Sequence, residues 1–419
     1  MKAFSIFCSL VFVSILCLGQ ANYDEVNVPK YTLPSLMVSQ EGKKISNIDD
    51  WQNIRRPELL SLFEQNVYGK IPDFKYEMDF KVGKADKKAL SGKAYAKEVV
   101  VSFYNDKDTV KMSIMIFLPA KSKKAVPLIL GYNFYGNQSI HEYPEISVSE
   151  SYVNNSSKFG ITNNKVDESS RGMRYNRWPV EKILERGYGL AVIHYADVDP
   201  DFDDGFKNGI HRLVDEASAK NWPSISAWSW GLSRALDYFE TDAKIDEKRI
   251  AVFGHSRLGK TSLWTGALDQ RFALVISNDS GCGGAALSRR QFGESVQRIN
   301  TSFPHWFNGK FKEYNNNEAN LPIDQHMLIA LMAPRPVYVA SAVDDRWADP
   351  RGEFLSIYHA SEAYKLYGGK GMTSDEMPEI DSPVIRGKQA YHIRTGGHDV
   401  TLFDWEKYMD FADIHFKKS

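Results

Sequence analysis

The sequence predicts an α/β fold, a three-layer sandwich with a central, mostly parallel sheet. Three observations carry this prediction. From Val126 onward, short apolar runs alternate with segments of helical periodicity, the pattern of a parallel or mixed sheet covered on both faces. Midway through that series, the strand-like run Lys248-Arg249-Ile250-Ala251-Val252-Phe253 enters Gly254-His255-Ser256-Arg257-Leu258-Gly259-Lys260, which opens a helix. Beyond the last strand-like run lies Gly396-Gly397-His398. A serine on a sharp strand-to-helix turn and a histidine after the last strand are the arrangement of the α/β-hydrolase fold.

Residues 1–21 read as a signal peptide: Lys2 is followed by an apolar run from Ala3 to Leu18, then Gly19-Gln20-Ala21 with small residues at the cleavage positions. The run is short for spanning a membrane, and no later stretch is apolar enough to do so. Ile15-Leu16 before Cys17 is a poor context for a lipoprotein anchor. The expected location is therefore secreted or periplasmic. Cys8 and Cys17 fall within the signal, which leaves Cys282 and no internal disulfide.

Residues 22–419 read as one catalytic domain. A helix is expected from Arg56-Pro57 to about Val67, then antiparallel strands within 74–118, where Glu98–Phe103 and Lys111–Phe117 alternate. Val126–Tyr132, Gly189–Ile193, Ala273–Ser277, Pro336–Ala340 and Gln389–Ile393 are the further strands around the serine turn. Helices are expected at Val180–Arg186, Ile225–Phe239, 257–268, Ile323–Met332, Phe354–Tyr367 and Leu402–Phe416. Residues 196–221 form a long connection. The polar segment 137–177 is expected as a surface insertion. It and a second insertion at 281–322 would lie over the carboxyl edge of the sheet, where open α/β folds bind ligands.

With a net charge of −1 the chain carries no field that recruits nucleic acid or membrane. Its 9 Trp and 21 Tyr supply core and could also form a sugar-binding surface.

Ser256 is the candidate nucleophile; the ordinary alternative is a capping serine. Its base is His398, the one of 10 histidines in the expected place, whereas His392 falls inside a strand and reads as structural. Asp279 and Asp345, each following a strand, compete for the third role, with Asp344 alongside. Either acid could instead pair with Arg289, Arg290 or Arg346. Arg257 follows the serine, and its N–H is the expected oxyanion donor, with added positive charge from its side chain. Lys260, at i,i+4 from Ser256, faces the same way. Two cations at the nucleophile suit an electron-rich or acidic substrate, although a lone lysine on a helix is more often solvated. No metal-ligand spacing such as H-x-x-x-H occurs, and neither a metal nor another cofactor is expected.

These residues resemble the glucuronoyl esterases, carbohydrate esterase family 15, of bacterial type. The late second glycine matches that family's Gly-x-Ser-Arg-x-Gly-Lys. So do Asp279-Ser280-Gly281-Cys282-Gly283-Gly284-Ala285-Ala286, His326–Leu331 with Pro334-Arg335, Asp345-Arg346-Trp347-Ala348-Asp349-Pro350, Gly396-Gly397-His398 and the segment Ile225–Gly231. The resemblance spans about residues 50–415. It implies cleavage of the ester between a xylan-borne (4-O-methyl-)glucuronic acid and a lignin alcohol through an acyl-enzyme. It implies Ser256 as nucleophile, His398 as base and Arg257 as oxyanion helper. Lys260 would bind sugar hydroxyls, Trp347 would line the uronate site, and Glu294 and Gln297 would match sugar-binding positions. A second oxyanion N–H is expected from Tyr132-Asn133-Phe134. Members place the acid at the position of Asp279 or of Asp345, and the first holds Asp here rather than Glu. His255 stands where fungal members have a disulfide-forming cysteine.

The partner implied is glucuronoxylan or a lignin–carbohydrate ester, met by a monomer. Two other readings remain: an acetylxylan or other carbohydrate esterase, which has no need of a cationic pocket, and a non-catalytic carbohydrate-binding homologue, which has no need of the serine, histidine and acids.

Overall fold

A computed structural model describes residues 21–83 and 85–416. Nearly all of the signal-peptide segment, with Cys8 and Cys17, lies outside them. Eleven strands form one sheet: β1 (Glu77–Val82), β2 (Asp86–Lys88), β3 (Ala94–Tyr104), β4 (Thr109–Pro119), β5 (Val126–Asn133), β6 (Gly189–His194), β7 (Ile245–His255), β8 (Leu274–Asn278), β9 (Val337–Ala342), β10 (Val384–Arg386) and β11 (Gln389–Arg394). Their order is β1-β3-β4-β6-β5-β7-β8-β9-β11-β10, with β2 beside β3. β6, β5, β7, β8, β9 and β11 run parallel to one another, and the leading strands are antiparallel. The architecture is the α/β-hydrolase fold expected from the sequence.

Side chains alternate across a strand, so each inner strand feeds two cores. Leu128 and Leu130 of β5 and Ile250 and Val252 of β7 face one cluster, while Ile129, Ala251 and Phe253 face the other. Helices Ser224–Phe239, Arg257–Leu268 and Pro350–Leu366 cover the first face, and Val180–Glu185 and Leu402–Phe416 the second. The apolar runs of the parallel strands follow from this burial on both faces.

Several boundaries differ from expectation. The helix expected from Ile323 spans Gln325–Ala330, because Asp324 caps it. The helix expected from Phe354 begins at Pro350, with Asp349 as cap and proline in its first turn, where no N–H is needed. The short edge strand β10 was not anticipated. The insertion 137–177 is only partly at the surface: Gln138, Ser139 and Ile140 are fully buried, with Gln138 Nε2 donating to Tyr135 O and Ser170 Oγ. Residues 281–322 likewise send Val296, Ile299, Phe307 and Phe311 into the core.

Candidate active site

The turn between β7 and helix Arg257–Leu268 holds Ser256 at φ 59°, ψ −130°, a conformation that L residues seldom adopt and that aims the side chain out of the sheet. Two glycines make it feasible. A Cβ at Gly254 would fall 1.8 Å from Leu258 O, and one at Gly259 would fall 2.9 Å from Ser280 Cβ. The second glycine comes a residue late because that is where the helix meets the chain leaving β8.

His398 lies on the loop after β11. Its Nδ1 is 2.6 Å from Asp345 Oδ2, on the loop after β9. Asp279, after β8, is also close: one ligand atom from each of Asp279, Asp345 and His398 lies within 4.8 Å of the other two. Yet neither Asp279 carboxylate oxygen has a hydrogen-bond partner among the described residues. Its neighbours are Arg394 Nη2 at 3.6 Å and His255 Nδ1 at 4.0 Å. Burial, and after it the charge of Asp345, pushes the Asp279 carboxyl well above its ordinary range. Pairing with Arg289, Arg290 or Arg346 does not occur at either acid. Arg289 binds Asp324, Arg290 binds Asp349, and Arg346 lies over the rings of Tyr23 and Phe292. His392 is fully buried between Tyr338 and Asp404, 2.9 Å from Asp404 Oδ1, which fits a structural part.

A cavity of about 330 Å³ is lined by Ser256, Arg257, Lys260, Glu294, Trp347 and His398, with both acids in its wall. Lys260 is buried rather than solvated; its Nζ donates to Ser280 O at 2.5 Å and lies 3.9 Å from Glu294 Oε2. Trp347 is 39% exposed, its ring covered on one side by Arg298. Gln297 does not line the cavity: Ser295 caps the helix Val296–Ser302, whose buried face is Val296, Ile299 and Asn300, and Gln297 falls off that face. Phe134, in the loop expected to give the second oxyanion donor, places its ring 5.6 Å from the Arg257 guanidinium. That loop is tied down by Asn133 Nδ2, which donates to Asn137 Oδ1 and Ile193 O.

Two acids of this region were missed. Asp201 accepts from Arg257, and Glu353 accepts from the backbone N–H groups of Ser280 and Gly281 at 2.8 and 2.9 Å. Asp201 sits in an acid-rich connection where no spacing singles it out. Glu353 follows the Asp345–Pro350 motif by three residues, and a helix start at Pro350 would have drawn attention to it.

Residues 210–368 match the family model described as glucuronyl esterase, fungi. The carbohydrate esterase MZ0003, from an unknown prokaryotic organism, is 51% identical over 398 residues, 94% of this chain and 92% of that one. Among solved structures, a promiscuous esterase of carbohydrate esterase family 15 from a marine bacterial metagenome superposes with TM-score 0.89 at 51% identity, over 95% of this chain and 100% of that one. The glucuronoyl esterase from Solibacter usitatus gives 0.87 at 43% identity, over 93% and 100%. The fold and these relationships define an ester hydrolase. The chain belongs to the glucuronoyl esterases, carbohydrate esterase family 15.

Proposed function

We propose that this protein hydrolyses esters of glucuronic acid or its 4-O-methyl ether, such as those joining xylan to lignin alcohols, with Ser256, His398 and Asp345 as its triad. The observation that carries this reading is the 2.6 Å contact between His398 and Asp345 at the mouth of a cavity that also holds Ser256, Arg257 and Lys260. Ser256 Oγ attacks the uronate carbonyl as His398 Nε2 takes its proton, and Asp345 stabilises the resulting imidazolium. Arg257, by its backbone N–H at the first helical position and by its guanidinium, stabilises the oxyanion. The alcohol leaves with the proton from His398, and water releases the uronate by the same steps. Lys260 and Glu294 orient the sugar hydroxyls, and Trp347 packs on the pyranose face.

The protein acts on its substrate as an exported, single-domain enzyme, residues 22–419, after removal of residues 1–21. Among the described residues no helix is long and apolar enough to cross a membrane.

The test is hydrolysis of methyl or benzyl glucuronate beside p-nitrophenyl acetate, with Ser256→Ala as control. Uronate ester turnover that disappears in the variant is expected. Acetate turnover without uronate turnover would move the protein to the acetyl esterases. A second, broader ester specificity is favoured by the promiscuous family member noted above, and measurable acetate turnover alongside the uronate activity would fit it.

A further inference from the structure

The cavity contains two cations, and each has its own carboxylate. Lys260 faces Glu294. Arg257 Nη1 donates to Asp201 Oδ2, and Asp201, 5% exposed, gathers three more donors: Tyr195 OH at 2.9 Å, His305 Nε2 at 2.9 Å and Trp306 Nε1 at 2.7 Å. The guanidinium lies against an aromatic wall, 4.7 Å from the Trp306 ring centre and 5.4 Å from that of Phe303. Its Nε is buried without a hydrogen-bond partner among the described residues. Asp345 lies beside His398, so each cation lining the cavity has an acidic partner; Arg394, behind the wall, lies 3.6 Å from Asp279 and also binds Asp404.

This charge balance does not suit an anionic ligand. It suits the reaction on the reading that the substrate is a uronate ester, on which this inference rests. The ester is uncharged at its carbonyl. Hydrolysis places the water oxygen on the acyl carbon, breaks the bond to the alkoxy oxygen, releases the alcohol, and yields a uronic acid that ionises by losing a proton. A lone cation would attract the transient oxyanion and the product carboxylate alike, whereas an oriented donor whose charge is already matched favours what lies along its N–H direction.

We propose that Asp201 is a positioning and specificity-determining residue: it fixes the Arg257 guanidinium on the aromatic wall and cancels its charge, so that the site stabilises the oxyanion of the ester without retaining the anionic uronate product. The aromatic wall and the four donors of Asp201 come from the segments around residues 134, 195, 257 and 303–306, so one carboxylate sets the geometry for all of them.

The experiment measures methyl glucuronate hydrolysis by the wild type and Asp201→Asn, with free glucuronate and uncharged glucuronamide as competing inhibitors. In the variant, kcat falls by about tenfold or more, while glucuronate binds about tenfold more tightly because an unmatched cation now faces it. Glucuronamide keeps its wild-type inhibition constant. A merely structural role would weaken both inhibitors together, and that result, or glucuronate binding no tighter in the variant, would overturn the proposal. Should Asp201→Asn fail to fold, the wild type still decides. Its inhibition by glucuronate should change by less than about twofold between about 20 and about 500 mM NaCl, and a steep relief by salt would mean a net positive pocket. A wild type inactive on uronate esters would instead overturn the functional reading itself.

Discussion

Asp345 Oδ2 lies 2.6 Å from His398 Nδ1, while the carboxylate of Asp279, an acid of the same cluster, accepts no hydrogen bond among the described residues. Two carboxyls therefore flank one imidazole, and their environments separate them. Asp345 can hold the ring's tautomer and its developing charge. Asp279, pushed toward its neutral form by burial and by Asp345, cannot do so as well. Asp345→Asn is expected to lower kcat by about 10³–10⁴ with KM little changed. Asp279→Asn, which resembles the protonated acid in shape, should cost less than about tenfold. Steady-state kinetics on methyl glucuronate check both, and equal losses would reject this division of labour.

Gly259 marks where the helix after Ser256 crosses the chain leaving β8, with Ser280 Cβ, Asn278 O and Gly254 O all within 3.2 Å of a would-be Cβ. Two of those three atoms belong to the backbone, so they yield little. Gly259→Ala should lower unfolding free energy by about 1–3 kcal/mol and disturb the serine turn, reducing kcat. Urea unfolding measures the first effect. Wild-type stability in the variant would show that the crossing can open without cost.

Glu353 is fully buried on helix Pro350–Leu366 and accepts from Ser280, Gly281 and Ser341. Burial outweighs those bonds and raises its carboxyl from an ordinary value of 4.5 to about 7. Between these two values the folded protein holds a proton that the unfolded chain has released. Stability from this group is thus complete below about 4.5 and is lost as pH climbs to about 7, on the order of 3 kcal/mol. Glu353→Gln should flatten that part of the stability profile. Denaturant midpoints for wild type and variant across pH 4.5–7 provide the comparison, and parallel profiles would contradict it.

What was legible in the sequence was local. Helix Arg257–Leu268 begins and ends where expected, because a glycine-flanked serine opens it and Asp269 follows its last apolar turn. The strands were legible because burial on both faces leaves unbroken apolar runs. What was not legible depends on which side-chain tips meet in space. Asp279 and Asp345 each end a strand, and only the path of the loop bearing His398 distinguishes them. The i,i+4 offset of Lys260 from Ser256 showed that both face the cavity, but not that Glu294 and Trp306 of the 281–322 segment bury it there. Asp201 acquires its importance from four donors, three of which lie 56 to 105 residues away. Gln297 was expected at a sugar-binding position only through the family resemblance, and a shift of one position on a helix turns a side chain by about 100°.

The close crossing of Gly259 over Ser280 also bears on how such proteins are found. A text search for Gly-x-Ser-x-Gly passes over this chain, although both glycines it asks for are present in function. The string records where neighbouring backbone happens to press on the turn, and here that pressure falls one residue later. Genome surveys that define serine hydrolases by the five-letter pattern will undercount chains built this way; a pattern that lets the second glycine fall at either position would recover them.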